Sequence, residues 1–332
     1  MIESISRSRL LELLRAGAKQ RVVVIGDAML DVYLRGDVSR ISPEAPVPVV
    51  RVTERKLALG GAANVAQNVL AIGAGCELVC AVGSDREGDQ LRKMLEELKG
   101  ETRSIVAVDR PTTTKTRVLA RAQQVVRFDE EEDADISGSE VAALVERALA
   151  AIDQADAVII EDYNKGVLIP ALIQPVMQRA AKDKVPVVVD PKYKNFFGYR
   201  GATIFKPNRR ELEAAVGASV DLDHPQALPQ MLERLGVENL LLTLGESGMA
   251  LIAADGEVGR ISTTAREVYD VVGAGDTVTA YLGTMLAAGA SPAEAAVIAN
   301  FAAGVEVAKL GAATVSTDEV AEAYDSFSSA AK

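Results

Sequence analysis

The feature that most constrains the fold is an alternation of continuous apolar runs with amphipathic segments, which fills the chain from about residue 140 onward. Uninterrupted apolar runs are typical of strands buried on both faces of a sheet. Strands that alternate with helices predict an α/β fold with a doubly wound, mainly parallel sheet. In this half, strands are predicted at 156–161, 185–189, 202–205, 239–244 and 249–253. Helices are predicted at 140–152, 170–182, 209–217, 225–235, after residue 276, at 292–309 and at 317–326.

Two segments of the N-terminal half break this pattern. Residues 32–52 are predicted to form short strands, because their glycine and prolines interrupt a sheet and suit its edges. Residues 114–120 and 124–128 alternate in the manner of a hairpin. We therefore predict a single domain, residues 1–332, whose parallel sheet carries a small β-sheet lid built from about 32–52 and 112–128.

Composition excludes several classes of protein. The 332 residues carry a formal net charge of −11, which argues against binding to nucleic acid or to an anionic membrane. No apolar run reaches the ~18 residues of a membrane span and no signal-peptide pattern is present, so we expect a cytoplasmic protein. Cys76 and Cys80 share one face of a predicted strand and are expected to be buried, reduced thiols. His224 is the single histidine, so acid–base chemistry must fall to carboxylates, lysines or tyrosines.

Residues 270–280 contain the strongest chemical signal, the run Gly273-Ala-Gly-Asp276 followed by an apolar-periodic segment. Two glycines before a helix N-terminus leave backbone N–H groups bare, and these donors and the helix dipole both favour an anion. The carboxylate of Asp276 would repel a resident anion, so the arrangement suits a base beside a group whose negative charge develops during reaction. A glycine turn with Asp276 as the helix N-cap is the alternative that this stretch leaves open.

Polar residues near the N-terminus form a candidate sugar site. Asp27 and Asp31 follow the first predicted strand, at the edge of an open α/β sheet where ligands bind. Gly60 and Gly61, which we expect to open a helix, allow the backbone to approach a ligand, and Asn64 can hydrogen-bond a hydroxyl. Turn capping by the aspartates and tight helix–sheet packing at the glycines are the structural alternatives.

Together these stretches resemble the ribokinase-like (PfkB) family of sugar kinases. The resemblance implies that Asp276 is the catalytic base. The anion hole that it implies consists of the backbone at Gly273, Ala274 and Gly275. The residues that it assigns to the sugar are Asp31, Gly60, Gly61 and Asn64. The fuller runs 26–31, 39–48 and 60–66 resemble those family members that phosphorylate heptose 7-phosphate in lipopolysaccharide core synthesis.

The same resemblance assigns residues after later strands to the substrate, to ATP and to Mg²⁺. Further substrate residues are Asp162 and Lys165. The residues implied at ATP are Lys192, Asn208, Arg209, Arg210, Glu211, Thr243, Gly245, Gly248 and Asn300. Glu211 and Asp190 would hold Mg²⁺ through water, which suits a cation that keeps much of its hydration shell. Turn formation by Asp190 and plain solvation of Lys192 stay open.

Positive charge is concentrated in the predicted hairpin of this otherwise acidic chain. Residues 110–127 hold five basic side chains and no acidic one. Lys115, Arg117 and Arg121 have the same parity, so a strand would present all three on one face, where they could bind a substrate phosphate. A solvated strand face is the alternative. Residues 130–135, which follow, are interpreted as a solvated acidic loop.

The resemblance as a whole implies phosphorylation of the C1 hydroxyl of D-glycero-β-D-manno-heptose 7-phosphate by ATP and Mg²⁺ in a Gram-negative bacterium, and leaves a monovalent-cation requirement open. It also implies a homodimer that pairs through the lid. A separate phosphatase and nucleotidyltransferase are expected, because the chain has no His-x-Gly-His pair. Two rival functions are another sugar kinase of the family, for example for fructose 1-phosphate, and a non-catalytic sugar or nucleotide sensor. Asp276 argues against the sensor, which has no use for a base.

Overall fold

The computed structural model describes residues 5–121, 123–224, 228–253, 256–265 and 268–330. The helices and strands, in chain order, are α1 (Arg7–Gly17), β1 (Arg21–Gly26), β2 (Ala28–Ile41), β3 (Pro48–Gly61), α2 (Ala62–Ile72), β4 (Gly75–Gly83), α3 (Arg86–Glu97), β5 (Ile105–Val108), β6 (Thr114–Ala120), β7 (Gln123–Glu130), α4 (Gly138–Ile152), β8 (Ala157–Glu161), α5 (Pro170–Asp183), β9 (Val187–Asp190), β10 (Ile204–Phe205), α6 (Arg209–Val216), α7 (Leu228–Leu235), β11 (Asn239–Thr243), β12 (Met249–Ala253), β13 (Val258–Ile261), α8 (Ala274–Ala287), α9 (Pro292–Glu306) and α10 (Thr317–Ala330).

The larger sheet has nine strands in the order β13-β12-β11-β10-β9-β8-β1-β4-β5. The strands from β11 to β5 run parallel, and β12 and β13 are added antiparallel at one edge. Alternate residues enter two separate hydrophobic clusters: Val24 and Ile159 lie in one, Val23 and Ile160 in the other. The predicted α/β fold with a doubly wound, mainly parallel sheet is therefore confirmed. Residues 225–227 of one predicted helix lie outside the described ranges.

The second sheet has four strands in the order β3-β2-β6-β7. The prediction of short, interrupted strands was wrong, because β2 and β3 are each 14 residues long. Gly36 lies at an irregularity of the β2–β3 ladder, where a β-bulge accommodates it. Pro43 and Pro46 lie in the connection between the two strands, and Pro48 opens β3. Since β3 is an edge strand, a proline at its start costs little pairing.

Gly60 and Gly61 end strand β3 instead of opening a helix, and α2 begins at Ala62. Gly61 has a φ of 56°, and a Cβ at this position would lie 2.4 Å from the carbonyl oxygen of Asp27. Only glycine fits where the lid strand crosses this closely over the end of β1. A Cβ on Gly60 would lie 3.0 Å from a carboxylate oxygen of Asp31, so a side chain at this position would crowd that carboxylate.

Two further expectations concern burial. Cys76 and Cys80 are buried free thiols in the same hydrophobic cluster, as their spacing in the sequence predicted. None of the helices within the described ranges is long and apolar enough to cross a membrane.

Candidate active site

Helix α8 begins directly at the Gly-Ala-Gly-Asp run. Gly273 is its N-cap residue with a φ of 94°, and it makes no side-chain capping bond. Ala274 and Gly275 are the first two helical residues, so their N–H groups are among those without an intrahelical acceptor. The alternative in which Asp276 caps the helix is therefore wrong, because Asp276 lies inside the first turn. The N–H of Ala274 makes a long turn bond of 3.4 Å to the carbonyl of Val271, so the amides of Gly275 and Asp276 are the ones left for an anion, with the carboxylate beside them.

The carboxylate of Asp276 is held by two donors from distant parts of the chain. Asp276 is buried, with only 6% of its surface exposed. Asn64 Nδ2 donates to Oδ2 at 2.6 Å, and the hydroxyl of Tyr163 donates to Oδ1 at 3.0 Å. A carboxylate has about four acceptor positions, so both oxygens can still accept a bond from a substrate hydroxyl. The sequence predicted Asn64 as a sugar ligand. The structure shows that Asn64 also hydrogen-bonds the candidate base, Asp276.

Burial raises the pKa of Asp276 to about 6, and the neighbouring carboxylate of Asp190 acts in the same direction. The hydrogen bonds from Asn64 and Tyr163 oppose this shift, because they stabilise the charged form. With a pKa of about 6, the group is ionised at neutral pH yet basic enough to take a proton during reaction.

A row of charged side chains lies beneath the start of α8. Glu161, Asp190 and Lys206 end or directly follow the adjacent strands β8, β9 and β10. In each strand, the residue two positions earlier packs into the hydrophobic cluster that contains α8, so strand alternation points all three side chains toward α8. Lys206 Nζ lies 2.7 Å from Asp190 Oδ2. We refer to these three residues as the buried charge row.

The buried charge row lies close to the N-terminus of α8 because Gly275 has no side chain. A Cβ at Gly275 would lie 3.8 Å from Lys206 Nζ and 3.9 Å from Asp190 Oδ2, so the glycine leaves the ammonium group close to the helix N-terminus. Burial would lower the pKa of Lys206, but Asp190 and Glu161 raise it, and the side chain stays charged. Sequence reasoning missed Lys206 and Glu161 as site residues, although the two-residue strand period could have indicated them.

Glu161 is the uncompensated member of this row. Burial raises the pKa of its carboxyl well above the usual range, and the charges of Asp190 and Asp276 act in the same direction. Its Oε2 atom is buried and has no hydrogen-bond partner among the described residues. No group of three or more histidine, cysteine, aspartate or glutamate side chains within those residues is arranged to hold a metal ion by itself. The unpartnered oxygen of Glu161 and the neighbouring carboxylate of Asp190 are oxygen donors of the kind that Mg²⁺ prefers, so these residues fit a hydrated ion that takes its other ligands from water and from a nucleotide.

Seven of the nine predicted nucleotide residues, all except Lys192 and Glu211, line two adjoining cavities. One of about 580 Å³ extends from Ala274 and Gly275 to Gly248 and Asn300, and its lining is mainly apolar. The other, of about 980 Å³, is lined by the exposed Arg209 and Arg210 and by residues that it shares with the first. The shared residues are Asn208, Thr243 and Gly245. Both volumes lie in the range of small-molecule sites.

Three predicted nucleotide and metal residues also hold one another. Asn208 is the N-cap residue of α6, and its side chain and that of Glu211 form a reciprocal capping box with the two backbone N–H groups. The other oxygen of Glu211 accepts from Lys192 Nζ, which also lies 5.4 Å from the centre of the Tyr163 ring. Lys192 is thus a partnered side chain and not a solvated one, and it links α6 to the residue that binds Asp276.

The sugar side of the site combines lid and main-sheet residues. Arg117 on β6 donates to the carboxylate of Asp31 on β2, and its guanidinium lies 5.4 Å from the centre of the Tyr33 ring. Lys115 and Lys165 each bind acidic side chains from the segment 129–131. The interpretation of residues 130–135 as a purely solvated loop was therefore wrong at Glu131.

Two predicted substrate residues lie apart from this arrangement. Arg121 follows the end of β6 in a turn with a φ of 55°, so the strand parity that grouped it with Lys115 and Arg117 does not extend to it. Asp162 accepts from the backbone N–H of Asn164 at 2.8 Å and from the hydroxyl of Tyr199 at 2.7 Å. Because Tyr199 belongs to the hydrophobic cluster on the opposite face of the sheet, Asp162 points away from α8.

Comparisons with known proteins identify the family of this chain. Residues 19–319 match the family model described as pfkB family carbohydrate kinase. The Bifunctional protein HldE of Shewanella piezotolerans is 46% identical over 312 residues, which are 93% of this chain and 64% of that protein. The protein of the same name from Nitratiruptor sp. is 45% identical over 92% of this chain and 65% of its own length. The chain thus spans somewhat less than two thirds of the curated relatives that it matches.

Solved structures show the same fold at lower identity. Arabidopsis thaliana ribokinase complexed with ribose and ATP superimposes with a TM-score of 0.72 at 21% identity, covering 92% of this chain and 98% of that one. Escherichia coli phosphofructokinase-2 in complex with potassium gives 0.74 at 19% identity, covering 93% and 99%. These likenesses establish a ribokinase-like fold, and the family match extends over most of the sequence. The chain is a sugar kinase that belongs to the pfkB family of carbohydrate kinases.

Proposed function

We propose that this kinase transfers the γ-phosphoryl group of ATP to the C1 hydroxyl of D-glycero-β-D-manno-heptose 7-phosphate and forms the 1,7-bisphosphate. The observation that carries the proposal is the position of Asp276, whose carboxylate lies between the bare amides of α8 and the sugar-side residue Asn64. The curated relatives named HldE and the sequence runs 26–31, 39–48 and 60–66 support the choice of heptose.

In the proposed mechanism, Asn64 and Tyr163 hold the Asp276 carboxylate so that it accepts the proton of the C1 hydroxyl during attack. The backbone N–H groups of Ala274, Gly275 and Asp276 then face the oxygens of the transferred group. Lys206, close behind Gly275, adds a fixed positive charge that needs no reorganisation. Phosphoryl transfer depends mainly on positioning and electrostatic stabilisation of this kind.

The buried charge row and α6 supply the residues for Mg²⁺. Asp190, Glu211 and the unpartnered Oε2 of Glu161 would bind its water shell. When bound, the ion neutralises charge on the nucleotide phosphates. ATP itself would occupy the two adjoining cavities, with its base beside Asn300 and its phosphates toward Gly275.

The positive side chains at the lid favour a substrate that already carries a phosphate. Lys115, Arg117 and Lys165 bring three positive side chains together in a protein whose net charge is −11. We propose that these residues bind the sugar phosphate and its neighbouring hydroxyls, together with Asp31. Conversion of the bisphosphate to a nucleotide-activated heptose would require separate phosphatase and nucleotidyltransferase activities, all in the cytoplasm.

We also propose a homodimer that pairs through the lid. Val126 and Phe128 on β7 are 48% and 47% exposed, and the β6–β7 register pairs Val126 with Val118. Alternation places these apolar residues on the face opposite Arg117 and the sugar. Exposed apolar sheet faces are typical of interaction surfaces. Light scattering should report a dimer for the native protein and a monomer for Phe128→Asp; a native monomer at micromolar concentration would contradict this assignment.

The substrate is tested with pure protein, ATP, Mg²⁺ and a panel of sugars. We expect efficient formation of ADP with heptose 7-phosphate, slower turnover with fructose 1-phosphate, and very slow turnover with unphosphorylated heptose. A preference for another sugar phosphate would replace heptose in the proposal and leave the kinase mechanism intact. Nucleotide binding without turnover of any sugar would favour the sensor.

A further inference from the structure

Glu131 bridges two lysines, one in the lid sheet and one in the segment that follows a strand of the main sheet. Its Oε1 atom lies 2.7 Å from Lys165 Nζ, and its Oε2 atom lies 3.4 Å from Lys115 Nζ. Lys115 belongs to β6 of the lid, whereas Lys165 follows strand β8 of the main sheet. One carboxylate therefore connects the lid to the body of the protein. We call this arrangement the Glu131 bridge.

The lysine ends of the bridge are fixed in place by the backbone. Lys115 lies in the β6 ladder opposite Asp31, and the backbone N–H of Lys165 donates to buried Asp27 at 3.0 Å. The carboxylate end is less constrained, because Glu131 directly follows the last residue of β7. The side chains of the two lysines are each 17% exposed and that of Glu131 is 28% exposed, so solvent and solutes reach the bridge.

The bridge lies at the sugar side of the active site. Asp31, the ladder partner of Lys115, is the residue that Arg117 binds. Tyr163, two positions before Lys165, donates its hydroxyl to Asp276. Burial would raise the pKa of Glu131, but Lys165 and Lys115 lower it, so the bridging carboxylate is charged at neutral pH.

We propose that Lys115 and Lys165 form the subsite for the phosphate of the sugar substrate, and that Glu131 occupies this subsite until the phosphate displaces it. The inference rests on the proposed function, and it adds a residue that competes with the substrate. A phosphate has three oxygens and close to two negative charges, so it can replace a carboxylate that spans two ammonium groups. An uncharged sugar hydroxyl cannot, and the bridge then stays closed.

Glu131 thereby acts as a specificity residue. In the free protein it neutralises Lys165 and, together with Asp129, Lys115, and these lysines would otherwise attract anions to the sugar site more strongly. A sugar without phosphate meets a subsite already filled by the protein's own carboxylate. A sugar phosphate meets two positioned ammonium groups once Glu131 swings aside, and Glu131 can do so because its side chain is only partly buried.

The first test compares Glu131→Gln with Glu132→Gln, a matched control that removes the same charge from the exposed next residue. We expect Glu131→Gln to lower KM for heptose 7-phosphate by roughly three- to ten-fold and to leave KM for unphosphorylated heptose unchanged. Glu132→Gln should change neither by more than about two-fold. An equal effect of both variants, or a raised KM for heptose 7-phosphate in Glu131→Gln, would overturn the proposal.

The second test places Glu131→Gln in a Lys115→Met, Lys165→Met background. If Glu131 acts through the two lysines, the gain from Glu131→Gln should disappear there. Persistence of the full gain would show that Glu131 acts by general electrostatics and would refute the subsite.

A third measurement separates this inference from the proposed function. Calorimetric titration with inorganic phosphate, with a non-hydrolysable ATP analogue filling the nucleotide site, should show tighter phosphate binding to Glu131→Gln than to the native protein. That result would stand even if heptose 7-phosphate were not a substrate. Equal phosphate affinities would sink the inference whatever sugar is phosphorylated.

Discussion

The site around Asp276 and the site around Glu131 are built by different physical means. Asp276 lies at the start of α8, buried, and is held by Asn64 and Tyr163 through hydrogen bonds of 2.6 and 3.0 Å. Glu131 lies at the edge of the lid, partly exposed, and is held by two ion pairs. One carboxylate is fixed by neutral donors, one on α2 and one just after β8, and the other is held by charged groups that solvent can reach.

This difference suits different tasks. A base must keep one position during a phosphoryl transfer, and buried neutral hydrogen bonds give that position without competing for the proton. A residue that a substrate displaces must be held weakly enough to leave, and partly exposed ion pairs contribute little to stability. We therefore assign proton abstraction and phosphoryl transfer to the N-terminus of α8, and the selection of a phosphorylated substrate to the lid.

The largest expected effect concerns Asp276 at the N-terminus of α8. Asp276→Asn keeps the shape of the side chain but removes the base, so we expect kcat to fall by at least ~10², the lower end of general-base contributions. Nucleotide affinity, measured by titration with an ATP analogue, should stay within a few-fold and serves as the control. A variant that keeps more than about a tenth of the native kcat would refute the assignment of the base.

The same substitution made in both regions tests their difference in burial. Lys206→Met leaves Asp190 buried without its partner and should lower the free energy of unfolding by about 3 kcal/mol. Lys115→Met removes two long, partly exposed ion pairs of the lid and should cost less than about 1 kcal/mol. Denaturation by urea with a common slope measures both. Equal losses would show that the two regions do not differ in the proposed way.

Loss of a lid cation should affect binding more than turnover. Arg117→Ala and Lys115→Ala should each raise KM for heptose 7-phosphate by roughly ten-fold, with a smaller change in kcat. The ratio of kcat/KM for heptose 7-phosphate to that for unphosphorylated heptose measures selection directly. If neither substitution reduces this ratio, the phosphate is bound elsewhere, for example by Lys192.

The pH dependence of kcat/KM tests the assignment of Asp276 as the base. Because its pKa is raised to about 6, kcat/KM should fall as the pH drops through about 6, where the base becomes protonated. Tyr163→Phe removes a donor that stabilises the charged carboxylate, so the acidic limb should move to higher pH by roughly half to one unit. Tyr281→Phe, which removes a hydroxyl from α8 that donates to the carbonyl of Val315, should leave the limb in place. If the acidic limb moves equally in both variants, the hydrogen bond from Tyr163 does not stabilise the charged form of Asp276.

The smallest effect is expected at Arg121. The sequence grouped it with Lys115 and Arg117, but the structure places it in the exposed turn after β6. We expect Arg121→Ala to change KM for heptose 7-phosphate by less than about two-fold. An increase as large as that of Arg117→Ala would restore the grouping from strand parity and would imply that the turn folds over the substrate.

The sequence by itself determined the class of fold and indicated the candidate base at the start of a helix. Apolar runs and helical periodicity are local properties, and they predicted the α/β alternation correctly. The run from Gly273 to Asp276 was equally readable, because bare amides at a helix start follow from the local backbone. The assignment of the whole chain to a single domain stays a prediction.

Only the tertiary structure decided which side chains meet. Tyr163 reaches Asp276, Glu161 lies beside Asp190, and Glu131 connects the lid to Lys165 because of strand order and strand parity. Neighbouring residues such as Glu161 and Asp162 point to opposite faces of the sheet, and the sequence pattern did not show which of the two faces α8. Contacts between distant residues depend on register across adjacent strands, which no local pattern records. The candidate base could therefore be predicted from its own turn, whereas its contacts with Asn64 and Tyr163, and the contact of Glu131 with two lysines, could not.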